Sequence, residues 1–286
     1  MTDPGRTEGG RGPDFFVVGA AKSGTTALVS ALRRHPDVFV PTLKEPHYYA
    51  YLADPNSVRM GYADAADASR RYRLLYADAG GATAVGDGST SNLSVPGAAA
   101  VLARDVPDAR IVAVLRHPVD RAFSHWSHFR AAGAEPLDFA EAVQAEAERL
   151  AAGMPATYQY LGRSRYCRQL APYYDLFRRD QVLVHLYDDL VADSAAVLRS
   201  TLRFLGVDAS DPLPSVRTEN EILVPRFRGV KGRPGRLLRR ATPGRWKHRP
   251  KPRLDPVLRQ QLVRDQLSDE IDRLEALLGR DLSAWR

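Results

Sequence analysis

The stretch that most limits what this chain can fold into is residues 15–32, FFVVGAAKSGTTALVSAL. Phe15, Phe16, Val17 and Val18 form an unbroken apolar run, which predicts a buried strand. Gly19 to Gly24 reads as a tight, glycine-bounded loop, and the residues from Thr25 onward as the first turns of a helix. The start of a helix leaves backbone N–H groups without intrahelical partners. A strand, a glycine-bounded turn and a helix start therefore form an anion cradle. Lys22 adds a full positive charge, and Ser23, Thr25 and Thr26 add hydroxyl donors. An ordinary strand-to-helix turn capped by Thr25 or Thr26 would have the same outline.

The order of residues narrows the choice of anion. A P-loop reads Gly, four residues, Gly, Lys, then Ser or Thr. Gly19 and Gly24 keep that separation, but Thr25 stands in the lysine's place and the lysine lies inside the loop, at Lys22. Enzymes that use magnesium nucleotides also end a later strand in a metal-holding aspartate. The clearest later strand, Arg110–Leu115, runs instead into Arg116. Such a site would hold its anion with lysine, arginine and backbone. A sulfuryl group carries less charge than a phosphoryl group and needs a divalent ion less. The seven histidines show no metal-ligand spacing with acids on one helix face, so no metal is expected.

Along the chain, strands alternate with helices. A helix over 25–34 is stopped by Pro36. A strand stub at 38–40 leads into a loop over 41–51 that holds KEPH and three tyrosines. The pattern then predicts a helix over 66–76, a strand over 84–86 ending at Asp87, a helix over 97–105 and the strand Arg110–Leu115. Pro118 suits the first position of a helix that runs to about residue 132. Helices come next over 139–152 and 166–178, then a strand over 181–187, and a helix over 192–205 stopped by Gly206. Residues 208–256, rich in proline, glycine and arginine, read as a long basic loop over the cofactor and acceptor site. A helix over 257–278 closes the chain. Residues 1–13 read as a disordered tail, and 14–286 as one domain. This order predicts an α/β fold: a P-loop-like three-layer sandwich with a central, mostly parallel sheet and helices on both faces. In such sheets ligands bind beyond the carboxyl ends of the strands. Lys22, Asp87, Arg116 and Tyr187 all fall there.

AAKSGTTAL resembles the 5′-phosphosulfate loop of sulfotransferases that use 3′-phosphoadenylyl sulfate (PAPS). RIVAVLRHPVDRAFSHW resembles the same family's 3′-phosphate-binding strand and helix. LRRHPDVFVPTLKEPHYY, VLVHLYDDLVADSAAVLRSTLRFLGV and the C-terminal LEALLGRDLSAWR are also similar to it, the subgroup being bacterial and heparan-sulfotransferase-like. The resemblance implies a sulfotransferase that moves a sulfuryl group from PAPS to a hydroxyl of a carbohydrate, glycolipid or natural product by in-line displacement. It assigns Lys22, Ser23, Gly24, Thr25 and Thr26 to the 5′-phosphosulfate, Lys22 also stabilising charge on the bridging oxygen. Arg116 and Ser124 would hold the 3′-phosphate, and Lys231, Gly232 and Arg233 a flexible flap over the nucleotide. Glu45 matches the family's general base, with His47 as the rival base. Lys44, His47, Asp87 and Tyr166 would face the acceptor. Asp87 stands where the family more often has glutamate, which shortens its reach. Arg121 reads as a helper of the phosphate pair or a surface residue, His125 and His128 as surface residues, and Tyr48, Tyr49 and Tyr51 as candidates to stack on a sugar or phenol.

Composition bounds the alternatives. Against 34 acidic residues stand 41 basic ones, a formal net charge of +7 that suits an anionic ligand. A small-molecule kinase using the same loop is the second reading, opposed by the lysine's position and by Arg116. The basic run 226–253 carries only Phe227 and Trp246, too few interleaved aromatics for a single-strand binder, so no nucleic-acid partner is expected. Cys167 is the only cysteine, which rules out an intramolecular disulfide and fits a reducing cytoplasm. No signal peptide and no membrane-length apolar run is visible, and the alanine- and arginine-rich usage fits a high-GC bacterium.

Overall fold

The computed structural model describes residues 10–58, 60–210, 213 and 252–286, with the strand segments 6–7, 223–225 and 246–248. Strands β1 (Arg6–Thr7) and β2 (Gly10–Arg11) pair as a short antiparallel ribbon. Arg11 is bonded to the carbonyls of Ala82 and Thr83 and to Asp14, at a position that reads as unstructured tail in the sequence.

Five strands form the central sheet: β3 (Phe15–Gly19), β4 (Val38–Phe39), β5 (Ala84–Asp87), β6 (Arg110–Leu115) and β7 (Val182–Leu186). Their order is β4-β5-β3-β6-β7, and every pairing is parallel. Side chains alternate between two cores, as the period of a strand requires. Phe15, Val17, Val112 and Val114 pack on the helices Thr25–Arg33 and Ser194–Phe204. Phe16, Val18, Ile111, Ala113 and Leu115 enter the larger core on the opposite face, with the helices Ala98–Asp105, Tyr166–Leu176 and Ser268–Leu278. The α/β sandwich is as the sequence requires. Gly86 is fixed by this packing, since a Cβ there would sit 2.1 Å from the Phe15 ring.

After β3 the chain goes to β4 at the edge, returns to lay β5 between β4 and β3, then crosses over to build β6 and β7 on the other side. The order of the sheet therefore reverses between β3 and β6, and the crevice beyond their carboxyl ends is where a ligand finds room.

Three further segments, after the β1–β2 ribbon, differ from the pattern expected from sequence, and a fourth lies in the KEPH loop. The expected helix over 139–152 is two helices, Phe139–Gln144 and Glu146–Ala151, because Glu146 turns to accept from the amides of Leu161 and Gly162. The expected strand end at Tyr187 opens the helix Tyr187–Ala192, and Asp193 then caps the next helix through the Ala196 amide. The expected C-terminal helix is interrupted by a π-helical turn, Val263–Leu267, between Pro256–Leu262 and Ser268–Leu278. In the basic loop, β8 (Leu223–Pro225) and β9 (Trp246–His248) pair antiparallel. Lys231, Gly232 and Arg233 lie outside the described residues.

Candidate active site

At the end of β3 the loop turns through Lys22, at φ 72°, and Gly24, at φ 87°, into the helix Thr25–Arg33. Gly24 has no substitute: its φ is left-handed, and a Cβ would lie 2.7 Å from Leu190 and 3.1 Å from Tyr187. The amides of Gly24, Thr25 and Thr26 find no acceptor among the described residues, as expected of a first helical turn. Of the three hydroxyl residues here, Thr26 is exposed, while Ser23 and Thr25 are buried. The buried Ser23 Oγ has no hydrogen-bond partner among the described residues. Arg116, at the end of β6, donates from Nη1 to the Lys22 carbonyl at 3.3 Å, and its guanidinium lies 4.7 Å from the Tyr187 ring centroid. One turn into the next helix (Pro118–Ala131) is Arg121, and Ser124 lies beyond it, partly buried. The fold thus joins Arg116 to the loop that carries Lys22, Gly24 and Thr26, with Ser124 in the helix that follows β6.

Arg121 is neither helper nor surface residue. It is 1% exposed and donates to Ser164 Oγ at 2.6 Å and to the Tyr160 carbonyl, tying its helix to the turn at Gly162–Ser164. His125 is also buried, not surface-lining, and burial with the Arg121 charge pushes its pKa well below the ordinary value. His128 is exposed. Tyr166, expected on the acceptor side, is buried and donates to the Arg116 carbonyl at 3.0 Å. This bond braces the end of β6.

The second constellation comes from two loops. Glu45 and His47 have left-handed backbones, φ 60° and 56°, which turn both side chains to one side of Pro46. Glu45 accepts from Lys44 Nζ on one oxygen and from Thr90 Oγ1 at 3.1 Å on the other. His47 Nε2 is 3.4 Å from that second oxygen. Its Nδ1 is 2.5 Å from Ser91 Oγ, and its amide donates to Ser89 Oγ. Burial lowers the His47 pKa, the Lys44 and Arg163 charges add to this, and Glu45 opposes it. At neutral pH the ring is uncharged. Lys44, Glu45 and His47 are therefore together, as the sequence order implied.

Asp87 is not. It is 1% exposed and accepts from Tyr72 at 2.7 Å, and burial raises its pKa. The tyrosines of the KEPH loop pack on one another and are not spread for a ligand. Tyr48 stacks on Tyr72 at 4.2 Å, Tyr49 meets Phe16 edge-on, and Tyr51 meets Tyr62. Tyr48 and Tyr49 open the helix Tyr48–Ala53, in a stretch that reads as loop in the sequence.

Two site residues carry no mark in the sequence pattern strong enough to single them out. Ser91 fixes the His47 ring, and the Arg163 charge helps to lower the His47 pKa. For Ser91 the available signal is the hydroxyl-rich GDGSTS stretch after β5; for Arg163 there is none. Among the described residues no group of three or more His, Cys, Asp or Glu is placed to hold a metal ion, and no helix is long and apolar enough to cross a membrane.

Against known proteins, a family model described as "Sulfotransferase family" matches residues 13–211. The rat protein carbohydrate sulfotransferase 15 is 26% identical over 166 residues, and the human protein 28% over 167; each alignment covers 46% of this chain. The chain spans 30% of the length of these relatives. Among solved structures, a sulfotransferase from Alicyclobacillus acidocaldarius is 32% identical with a TM-score of 0.76, covering 96% of this chain and 98% of that one.

Proposed function

The chain belongs to the sulfotransferase family, and from that premise we propose that it transfers a sulfuryl group from PAPS to an acceptor hydroxyl, with residues 14–286 as the catalytic domain. When bound, PAPS supplies the sulfuryl group, and 3′-phosphoadenosine 5′-phosphate is the leaving product. The open amides of Gly24, Thr25 and Thr26 hold the 5′-phosphosulfate. Lys22 places its charge where the bridging oxygen gains electrons, which is the moment an electrostatic contact lowers the barrier. Arg116 offers a planar fork to the 3′-phosphate, and Ser124 a hydroxyl. Glu45 takes the proton from the acceptor oxygen as that oxygen attacks. Its hydrogen bonds from Lys44 and Thr90 keep it aimed, and neutral His47 steadies it from the side. Lys231, Gly232 and Arg233 are assigned to the flap over the nucleotide. Much of the rate gain is positioning, since both partners are held in line.

The observation that supports this reading best is Arg116. It ends β6 where a magnesium-nucleotide enzyme would carry an aspartate, and it is bonded to the very loop that carries Lys22. The names of the rat and human relatives support a carbohydrate acceptor, and the single cysteine supports a reducing cytoplasm. Calorimetric titration tests the reading. Binding of 3′-phosphoadenosine 5′-phosphate should be unchanged by a chelator. Tight binding of magnesium ATP, with 3′-phosphoadenosine 5′-phosphate ignored, would sink it.

A further inference from the structure

Ser89, Thr90 and Ser91 follow β5 one after another, and each hydroxyl takes its own partner in the KEPH loop. Ser89 Oγ accepts from the His47 amide at 3.0 Å, and Thr90 Oγ1 donates to Glu45 Oε2 at 3.1 Å. Ser91 Oγ lies 2.5 Å from His47 Nδ1. Tyr62 holds the same loop by donating to the Pro46 carbonyl at 2.7 Å. The His47 ring therefore meets a partner at both nitrogens: Ser91 at Nδ1, and Glu45 Oε2 at 3.4 Å from Nε2.

A neutral imidazole has one N–H and one lone pair, and its partners decide which nitrogen carries which. Ser91 is 5% exposed, and His47 Nδ1 is the one acceptor its hydroxyl meets among the described residues. A buried hydroxyl hydrogen must be given to some acceptor, so Ser91 donates and Nδ1 accepts. Glu45 points to the same answer from the other side. A lone pair on Nε2 would face a carboxylate oxygen and be repelled, whereas a hydrogen there is attracted. Two independent contacts thus select one tautomer, with the hydrogen on Nε2.

We propose that Ser91 is a positioning residue of the acceptor end: it donates to His47 Nδ1, holds the ring as the Nε2–H tautomer, and so makes His47 a donor to Glu45 with no lone pair free to act as a base. This deepens the sulfotransferase reading and rests on it where Glu45 is called the base; the tautomer itself depends on no ligand. At 3.4 Å the Nε2 contact is loose, as contacts around a base are before substrate arrives. Ser91 then acts on Glu45 without touching it, through the ring between them.

Nitrogen-15 NMR of the full chain labelled at histidine tests this near neutral pH. His47→Asn identifies the ring signals, since asparagine tolerates the left-handed backbone at that position. Wild type should show Nδ1 as an unprotonated nitrogen and Nε2 as a protonated one. Ser91→Ala should move both signals toward the average of the two tautomers, and Ser91→Thr, which keeps the hydroxyl, should restore the wild-type pair. Glu45→Gln should shift Nε2 more than Nδ1. A protonated Nδ1 in wild type, or ring signals unchanged in Ser91→Ala, overturns the proposal. If Ser91→Ala disturbs the other histidine signals and so the fold, Ser91→Thr decides: ring signals unlike wild type in a folded protein count against Ser91. Calorimetry with 3′-phosphoadenosine 5′-phosphate runs beside it. Failure of wild type to bind that nucleotide would strike the sulfotransferase reading, while the ring signals still judge Ser91.

Discussion

The two ends of the crevice, which the proposed function assigns to donor and acceptor, are built in different ways. The donor end is made of backbone at strand termini. Lys22 and Arg116 stand where β3 and β6 stop, joined by one hydrogen bond, and the open amides belong to a helix whose start is set by Gly24. The acceptor end is made of side chains on loops, with Glu45 held from three directions by Lys44, Thr90 and His47. Backbone at a sheet edge cannot change without rebuilding the sheet, whereas a network of side chains can be rewired one residue at a time. A single scaffold can thus keep one donor and serve varied acceptors.

The contrast can be broken at either end. Glu45→Gln should lower sulfuryl transfer by about 10²–10⁴-fold, the usual weight of a general base, and leave binding of 3′-phosphoadenosine 5′-phosphate within about twofold. Turnover near wild type in a radiolabelled transfer assay would move the base to His47. Lys22→Ala should lower turnover by about 10²–10³-fold, the loss expected of a charge-stabilising group, with circular dichroism unchanged. Wild-type turnover would remove Lys22 from the chemistry. Arg116→Lys replaces a fork with a point charge, and nucleotide affinity should fall by about tenfold in calorimetry. No loss would separate β6 from the donor.

The smallest effect lies away from both ends. His185, on β7, is 7% exposed, and burial lowers its pKa to about 4. In the unfolded chain it titrates near its ordinary value of 6.5. Above that pH both states are neutral there, and stability is full. As pH falls from 6.5 toward 4 the unfolded state takes up the proton first, so stability is lost across that window. His117, also lowered to about 4 by burial, adds to the same slope. His185→Val should make the acid fall of Tm shallower between pH 6.5 and 4; an unchanged slope would show that His185 is not the group being titrated.

The same contrast explains why the donor end is legible in the chain and the acceptor end only in part. Phe15 to Val18 and Arg110 to Leu115 are continuous apolar runs, and the residues just past a buried strand must lie at the rim of its sheet. Periodicity and order alone therefore place Lys22 and Arg116. The depth of Tyr166 and Asp87 is not legible, because sequence gives a residue's neighbours in chain order and not its burial. One braces a strand end from beneath, and the other is buried against Tyr72. The aromatic loop misleads for a similar reason, since its tyrosines satisfy one another before any ligand arrives. Arg163 gives no sign at all, because an arginine in a polar turn is ordinary in a sequence.

The bond from Arg116 to the Lys22 carbonyl has a consequence for how a ligand would be felt. On the proposed reading, one planar group touches the loop assigned to one phosphate and offers its remaining hydrogens to the other. Small fragments, such as adenosine 3′-monophosphate and adenosine 5′-monophosphate, would each reach only half of this arrangement. Joined in one molecule, they should be worth more than their sum, because the first half to settle stiffens the arm that receives the second.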